Sequence, residues 1–369
     1  WDGRIPNGVD LDVHEISKEL KSHMHKYRIA IIGAGTIGRT HIEAAMKNPA
    51  VELVGVAEPY EAGKAWVQAH SIPWFASHGD LLDKAKPDGV IIATPNDAHA
   101  NVAVDCLNSG AAVVVEKPIA DTLANARSIY EVAQAKGLPA LVGHHRRHNP
   151  IMRQAKSIMD SGVLGQPVSV TAMCTWYKDD DYFKAAWRRQ SGGGPVLINL
   201  IHDIDLMRFL YGDIASLQAM TSNAIRGHEV EDTAVVMMRF VNGALGTVTV
   251  SDTTVSPWNY DLSARETDRF PQQDINSHFF SGTHGSLTLP KLEVWSYEDQ
   301  RHWEKPISVT RTDPMRYSPY EAQLNNFLAV IEGKEKPVCS ALDGLRALEA
   351  ALAVRESAAS GCAVQLISS

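Results

Sequence analysis

The stretch YRIAIIGAGTIG, residues 27–38, decides the fold of the first part of the chain. An apolar run ends in glycines spaced G-x-G-x-x-G, and a segment with helical spacing, residues 36–47, follows. In a strand–loop–helix unit, these glycines allow a tight turn and bring a pyrophosphate close to the unpaired amides of the helix N-terminus. The residues predicted to hold a dinucleotide here are Gly33, Gly35, Thr36, Ile37 and Gly38.

The next apolar run, Val51–Ala57, ends at Glu58, 20 residues after Gly38. A carboxylate at this place accepts hydrogen bonds from the adenosine ribose and repels a 2′-phosphate. NAD is therefore expected in preference to NADP, although Lys64 is near enough in sequence to weaken the preference.

Further short apolar runs lie at residues 89–92, 111–115 and 139–142, with helical segments such as 98–108 and 122–135 between them. Continuous apolar strands separated by helices are typical of a parallel sheet covered on both faces. We therefore predict a Rossmann-type, doubly wound α/β domain over residues 24–148.

The pattern of apolar residues changes after Pro150, where a predicted helix over 152–160 precedes mainly strand-like runs. These runs are Pro167–Cys174, Thr233–Phe240, Ala244–Val250 and Ser286–Leu289, and Val241-Asn242-Gly243 between the middle two predicts a hairpin. We predict an α+β domain for substrate binding and oligomerisation over 149–340, with a large open, mainly antiparallel sheet, and a helix and short strand over 341–369. An apolar open sheet needs a cover, so a homodimer or homotetramer through this sheet is expected.

Composition narrows the class of protein. The chain has 369 residues, 44% hydrophobic, with 35 Lys and Arg against 43 Asp and Glu, a net charge of −8. No general nucleic-acid binding is expected from this balance, and no apolar run reaches the roughly 18 residues of a membrane span. Four scattered cysteines without a C-x-x-C pair, and no secretory signal, favour a reduced cytoplasmic enzyme. Residues 1–23 end in Ser22-His23, directly before Met24. They are interpreted as a leader left by cloning or as an N-terminal arm.

Two motifs follow strands of the first domain: Thr94-Pro95-Asn96 with His99, and Glu116-Lys117-Pro118. Carboxyl ends of parallel strands are where such sheets bind ligands. The cofactor contacts predicted here are Thr94, Asn96, His99, Glu116 and Lys117. A lysine between an apolar strand and a proline is partly enclosed, which lowers its pKa toward the range of an acid/base.

A glycine loop, Gly192-Gly193-Gly194, precedes a helix that is expected to begin near Val196. Helical spacing then places Ile198, Asn199 and His202 on one face, and Asp205 three residues beyond could orient His202.

Together these motifs resemble the Gfo/Idh/MocA oxidoreductase family over residues 27–366. Further matches are Arg147 with Asn149-Pro150 and the final stretch 357–366. The resemblance implies a Rossmann domain, a C-terminal open sheet, and oxidation of a secondary alcohol on a sugar, inositol or cyclic diol. It also implies that Lys117 and His202 face the substrate beside the nicotinamide.

One position departs from the family pattern. Many members carry Asp four residues before the histidine, where this chain has Ile198, and an isoleucine cannot share a proton with His202. We therefore expect Lys117 to be the main acid/base, with His202 positioning the oxygen and Asp203 or Asp205 as candidate partners of His202.

The substrate is expected between the domains, beside aromatic and basic side chains. The substrate-binding residues predicted are Lys117, His144, Arg147, Trp187, Arg188, Asn199 and His202. No metal is expected, because His144 and His148 leave a strand and helical spacing cannot be assumed for them.

Two other functions stay open at this point. One is a glycosidase that uses tightly held NAD for transient oxidation and elimination. The other is a non-catalytic protein that responds to nicotinamide nucleotides, which Ile198 favours and the pair of Lys117 and His202 opposes.

Overall fold

A computed structural model describes residues 26–366. The predicted leader or arm, residues 1–23, lies outside the described residues. The strands are β1 Tyr27–Ile32, β2 Val51–Ala57, β3 Trp74–Phe75, β4 Gly89–Ile92, β5 Ala112–Val115, β6 Ala140–Val142, β7 Pro167–Thr175, β8 Ile214–Ser222, β9 Thr233–Phe240, β10 Leu245–Ser251, β11 His278–Gly282, β12 Gly285–Leu289, β13 Glu293–Ser296, β14 Ser308–Arg311 and β15 Val364–Gln365. The α-helices are α1 Thr36–Lys47, α2 Glu61–Ala69, α3 His78–Ala85, α4 His99–Asn108, α5 Leu123–Lys136, α6 Pro150–Asp160, α7 Ile201–Tyr211, α8 Tyr260–Ser263, α9 Pro319–Ile331 and α10 Ala341–Ser360.

The first sheet has six strands in the order β3-β2-β1-β4-β5-β6, and all its pairs are parallel. Strands β4 and β5 are buried along their whole length, because helices cover both faces of the sheet. The predicted doubly wound domain is confirmed. The strand order reverses between β1 and β4, so loops at their carboxyl ends open a ligand crevice there.

The second sheet has nine strands in the order β14-β13-β12-β11-β7-β10-β9-β8-β15. Only β7 and β10 pair in parallel, and the predicted hairpin joins β9 to β10. The mainly antiparallel sheet is therefore confirmed. Buried and exposed residues alternate along β9, since one face packs on α7 and α10 while the other is open.

The chain crosses back to the first sheet after the second sheet is complete. Leu324, Phe327 and Leu328 of α9 pack against Ile29 and Ile31 of β1. Helix α10 contacts α5 on one side and β8 on the other. The predicted boundary at residue 148 thus separates the two sheets, but the first sheet's core also takes residues from the last fifth of the chain.

Within residues 26–366, every helix is too short or too polar to pass through a lipid bilayer. All four cysteines are unpaired, and three of them are buried.

Candidate active site

The glycine loop has the shape that a dinucleotide requires. Gly33 has φ +99°, and a Cβ there would lie 2.5 Å from the Ala93 carbonyl oxygen. A Cβ on Gly38 would lie 2.1 Å from the Gly33 carbonyl oxygen. Gly35 and Thr36 are exposed at the start of α1, and nothing lies within 4 Å of a Cβ built on Gly35. The loop therefore leaves its backbone open at the helix N-terminus, which fits the pyrophosphate of NAD.

Glu58 ties this loop to the end of β2. It is buried, and its carboxylate accepts hydrogen bonds from the amides of Ala34 at 2.7 Å and Tyr60 at 2.8 Å. Each carboxylate oxygen can accept a further bond, so the predicted contact with the ribose stays a prediction.

Thr94 and Asn96 lie at the carboxyl end of β4, and Asn96 is exposed there. His99 is different, because its ring is buried between the carbonyls of Thr94 and Pro118, each 2.9 Å away. His99 therefore joins the two loops through both ring nitrogens, and its predicted contact with the cofactor stays a prediction.

Glu116 is also buried within the protein. Its carboxylate bonds the His41 ring at 2.7 Å and accepts the Lys117 amide at 3.2 Å. Burial would raise the pKa of Glu116, but His41 holds it below its usual range. Glu116 therefore anchors the segment that carries Lys117, and its predicted cofactor contact stays a prediction.

Lys117 lies just beyond β5, and its amine donates to the backbone carbonyl of Ile198 at 3.2 Å. Burial lowers the pKa of Lys117 to about 8, against the opposing charge of Glu116. Among the described residues, no carboxylate lies within 4 Å of the amine. The amine therefore has the accessible neutral form that proton transfer needs.

The helix predicted from Val196 begins with a π-helical turn, Val196–Leu200, and becomes regular only at Ile201. The glycine loop before it is held by Glu231, which accepts the Val196 amide at 3.1 Å. A Cβ on Gly194 would meet Glu231 at 2.5 Å, so glycine is required there. The wide turn changes the angular spacing of Ile198 and Asn199 relative to His202, and the predicted shared face stays a prediction.

His202 has neither of the expected acidic partners. Asp203 bonds His278 at 3.0 Å, and Asp205 bonds Arg147 through both oxygens at 2.7 and 2.9 Å. The His202 Nδ1 is buried without a partner among the described residues. Burial and the nearby Lys117 hold the pKa of His202 well below its usual range, so the ring is neutral.

Two predicted substrate contacts lie behind the site. His144 is 1% exposed, and its ring is edge-on to His202 with a centroid distance of 6.1 Å. Arg147 is 3% exposed and donates to Asp205 and to the Val338 carbonyl. These side chains are buried beside the histidine helix, and their predicted contacts with the substrate stay predictions.

The three other predicted substrate contacts, Trp187, Arg188 and Asn199, are partly or fully exposed. Trp187 is exposed, and Arg188 lies over the Tyr182 ring at 4.0 Å and over Trp187 at 5.3 Å. Asn199 accepts a hydrogen bond from the Lys178 amine at 2.6 Å.

Sequence reasoning missed His41 and Lys178. His41 follows the glycine loop on the buried face of α1, a place where a polar residue signals a buried partner. Lys178 stands among acidic residues, Asp179 to Asp181, so nothing in its neighbourhood distinguishes it from a solvated lysine.

Sequence reasoning also missed a partly buried pair beside the site. His145 bonds Glu266 at 2.8 Å and stacks on Tyr320 at 4.6 Å. Residues 26–366 contain no group of three or more His, Cys, Asp or Glu side chains arranged to hold a metal ion.

Two family models match this chain. Residues 27–144 match the model described as the oxidoreductase family with an NAD-binding Rossmann fold. Residues 152–287 match the GFO/IDH/MocA C-terminal domain. Together the two matches span well over half of the chain: the first covers the whole six-stranded sheet, and the second covers the nine-stranded sheet from β7 into β12.

Named relatives are similar over nearly their whole length. A scyllo-inositol 2-dehydrogenase (NAD(+)) from Bacillus subtilis (strain 168) is 26% identical over 361 residues, covering 93% of this chain and 97% of the relative. A 1,5-anhydro-D-fructose reductase from Ensifer adhaerens is 28% identical over 357 residues, covering 92% and 98%. The WlbA dehydrogenase from Bordetella pertussis, solved with NADH and UDP-GlcNAcA, shares the fold with a TM-score of 0.75 at 24% identity, covering 94% of this chain and 100% of that chain. The chain belongs to the Gfo/Idh/MocA family of oxidoreductases, and its first domain is an NAD-binding Rossmann domain.

Proposed function

We propose that this protein oxidises a secondary alcohol of a sugar, polyol or cyclic diol with NAD, or reduces the corresponding ketone. The observation that carries the proposal is Lys117: a partly buried amine, with no carboxylate of the described residues within 4 Å, at the carboxyl edge of a dinucleotide-binding sheet. Amines in such a setting transfer protons near neutral pH. The named activities of the two relatives, on an inositol and on an anhydro sugar, support a ring-shaped polyol as the substrate.

The residues of the site have separate tasks in this chemistry. The amides of Gly35 and Thr36 hold the pyrophosphate, with Glu58 keeping their loop in place. NAD, when bound, supplies the oxidant that accepts a hydride from the carbinol carbon. The neutral amine of Lys117 takes the hydroxyl proton as the carbonyl forms.

His202 assists as a neutral ring. Its Nδ1 is buried, which leaves the other ring nitrogen to meet the substrate oxygen. Asp203 and Asp205 bond other side chains, so among the described residues neither acid is hydrogen-bonded to His202 to stabilise its protonated ring. Lys117 is therefore the acid/base, and His202 orients the oxygen.

The first experiment mixes the purified protein with NAD and a panel of sugars, inositols, glycosides and cyclic diols, and follows NADH absorbance. Lys117→Ala should remove the signal by at least about 100-fold, because general-base catalysis contributes about that much. Lys84→Ala is the matched control, since Lys84 lies on the exposed side of α3 and should leave the rate unchanged.

A wild-type protein that binds NAD but forms no NADH with any alcohol contradicts the proposal. Cleavage of a glycoside without net NADH, seen by mass analysis of products, identifies the glycosidase activity instead.

A further inference from the structure

Lys178 is a second buried lysine beside the histidine helix. It is 8% exposed, and its amine donates only to neutral oxygens: Asn199 Oδ1 at 2.6 Å and the Tyr182 hydroxyl at 3.3 Å. Within the described part of the chain, no carboxylate lies within 4 Å of this amine. A buried ammonium without a counter-ion is costly, so the site favours an anion from outside the chain.

Other unfilled donors surround the same place. The Trp176 Nε1 and the Arg188 Nε are both buried, and neither has a hydrogen-bond partner among the described residues. The Lys178 amine is 5.4 Å from the Trp176 ring and 4.3 Å from the Tyr182 ring, over which Arg188 also lies at 4.0 Å. Buried donors are normally satisfied, so two unpartnered donors beside a lysine that has only two neutral acceptors point to a missing acceptor.

The nearest acids are already paired with other side chains. Asp252 accepts from Arg226 Nε at 2.8 Å, and Asp261 accepts from Arg146 through both oxygens at 2.9 Å. The charges of these two carboxylates are therefore largely neutralised, and the cluster of Lys178, Trp176 and Arg188 keeps an excess of positive charge.

We propose that Lys178, with Trp176 Nε1 and Arg188, binds a carboxylate of the substrate, so that the substrate class is a sugar acid of the hexuronate type. Three N–H donors match the acceptor capacity of one carboxylate, and an ammonium and a guanidinium supply the charge. Lys178 is a specificity-determining residue and takes no part in proton transfer.

The placement joins this cluster to the reacting centre. Lys117 contacts the carbonyl of Ile198 and Lys178 contacts the side chain of the next residue, Asn199, so both lysines meet one π-helical turn. This inference rests on the proposed function, which puts the reacting carbinol at Lys117. One ring-shaped substrate then presents its hydroxyl to Lys117 and its carboxylate to Lys178.

The test measures binding by isothermal titration at pH 7 in the presence of NADH, so that no oxidation occurs. The probes are matched sets that differ only at C6. One set is D-glucose, D-glucuronate and D-glucose 6-phosphate, and the other is D-galactose, D-galacturonate and D-galactose 6-phosphate. We expect at least one hexuronate to bind about tenfold or more tighter than its hexose, because hydrogen bonds to charged groups are worth that much.

The variants assign the preference to Lys178. Lys178→Met should abolish the preference for the hexuronate while affinity for the hexose and NADH stays within about twofold. Lys178→Arg should keep most of the preference, because the charge remains. Lys184→Met is the control, since Lys184 is exposed on the same loop and pairs with Asp181 at 2.8 Å.

Three results overturn the inference: equal affinity of hexose and hexuronate in the wild type, a preference that survives in Lys178→Met, or a preference for the 6-phosphate. Failure of the proposed function shows separately, as tight binding of a sugar acid with no NADH formed when NAD replaces NADH.

Discussion

Desolvation lowers the pKa of Lys117 to about 8, with no carboxylate of residues 26–366 within 4 Å of its amine, and this change governs what the residue can do. The acceptor of its amine is a backbone carbonyl, that of Ile198. A carbonyl accepts a hydrogen bond but carries no full charge, so it favours the ammonium form less than an aspartate does.

The lowered pKa of Lys117 makes the rates of oxidation and reduction depend on pH. Oxidation needs the neutral amine, so its kcat/KM should rise about tenfold per pH unit below about 8 and level off above it. Reduction needs the ammonium and should fall as pH rises through the same range. Steady-state rates in both directions between pH 5.5 and 10 test this, and parallel profiles in the two directions contradict it. Lys117→Arg stays charged throughout and should be inactive at every pH.

Asp205 should matter for stability and not for proton relay. It is 1% exposed and pairs with Arg147, so Asp205→Ala leaves the buried guanidinium with Asp343, 3.3 Å away, as its remaining carboxylate among the described residues. Breaking such a pair costs roughly 3–5 kcal/mol of unfolding free energy. Urea unfolding measures this, with Arg147→Met/Asp205→Leu as the control that should recover most of the loss. A stable Asp205→Ala variant with a shifted pH profile supports the relay instead.

At the scale of elements, the glycine loop and the π-helical turn bring the cofactor and the acid/base together. The loop joins β1 to α1, and Glu58 at the end of β2 holds its backbone from the side. The turn at Val196–Leu200 faces Lys117, which comes from the end of β5. A π-turn is typical of functional sites, because it breaks the regular hydrogen-bond ladder where a carbonyl is needed elsewhere.

Two glycines of the loop should separate stability from binding. Gly33→Ala combines positive φ with a backbone clash and should cost at least about 2 kcal/mol of stability. Gly35→Ala has φ −68° and meets nothing, so its stability should stay within about 0.5 kcal/mol. Its added methyl group projects from the exposed loop, where we expect it to weaken NADH binding roughly tenfold. Thermal unfolding and fluorescence titration with NADH measure the two effects, and unchanged affinity in Gly35→Ala contradicts the placement of the pyrophosphate.

At the scale of the whole molecule, the nine-stranded sheet leaves one face open. Met220 on β8 lies opposite Val235 on β9, and Met237 lies two residues further along β9 on the same face. All three are about half exposed or more. Phe279 of β11 and Trp295 of β13 extend the apolar face toward the other edge. Exposed apolar patches of this kind mark association surfaces.

We expect a second copy of the chain to cover this face. Light scattering at micromolar concentration should give two or four times the chain mass of 40.3 kDa. The double variant Val235→Lys/Met237→Lys should shift the mass to that of a monomer, because buried lysines without partners oppose association. Met46→Lys, on the exposed side of α1, is the control and should leave the mass unchanged. A monomeric wild type contradicts the expectation.

Helix α9 should be as important to the first sheet as the sheet's own helices. Phe327 is fully buried, and a Cβ on Gly89 of β4 would meet its ring at 2.7 Å. Phe327→Ala should therefore cost about 3–5 kcal/mol. Tyr317→Ala is the control, since Tyr317 is exposed just before the helix. Thermal unfolding by circular dichroism measures both, and a loss below about 1 kcal/mol in Phe327→Ala contradicts the packing.

The sequence by itself determined the local parts of this protein. The bounds of α1, β2, β4 and β9 follow from the amino-acid pattern, because apolar runs, turn glycines and helical spacing act within a few residues. The glycine loop and the position of Lys117 at a strand end follow for the same reason. The resemblance to the family adds His202. It lies on the same helical segment as Ile198, whose carbonyl accepts the hydrogen bond of Lys117.

Only the tertiary structure decided which polar groups are partners. His202 and Asp205 are three apart in sequence, yet Asp205 meets Arg147 from another element. Glu116 meets His41, and Lys178 meets Asn199, across 75 and 21 residues. In the interior each buried charge takes whichever partner the packing of distant elements brings within about 3 Å, and spacing along the chain carries no record of that choice.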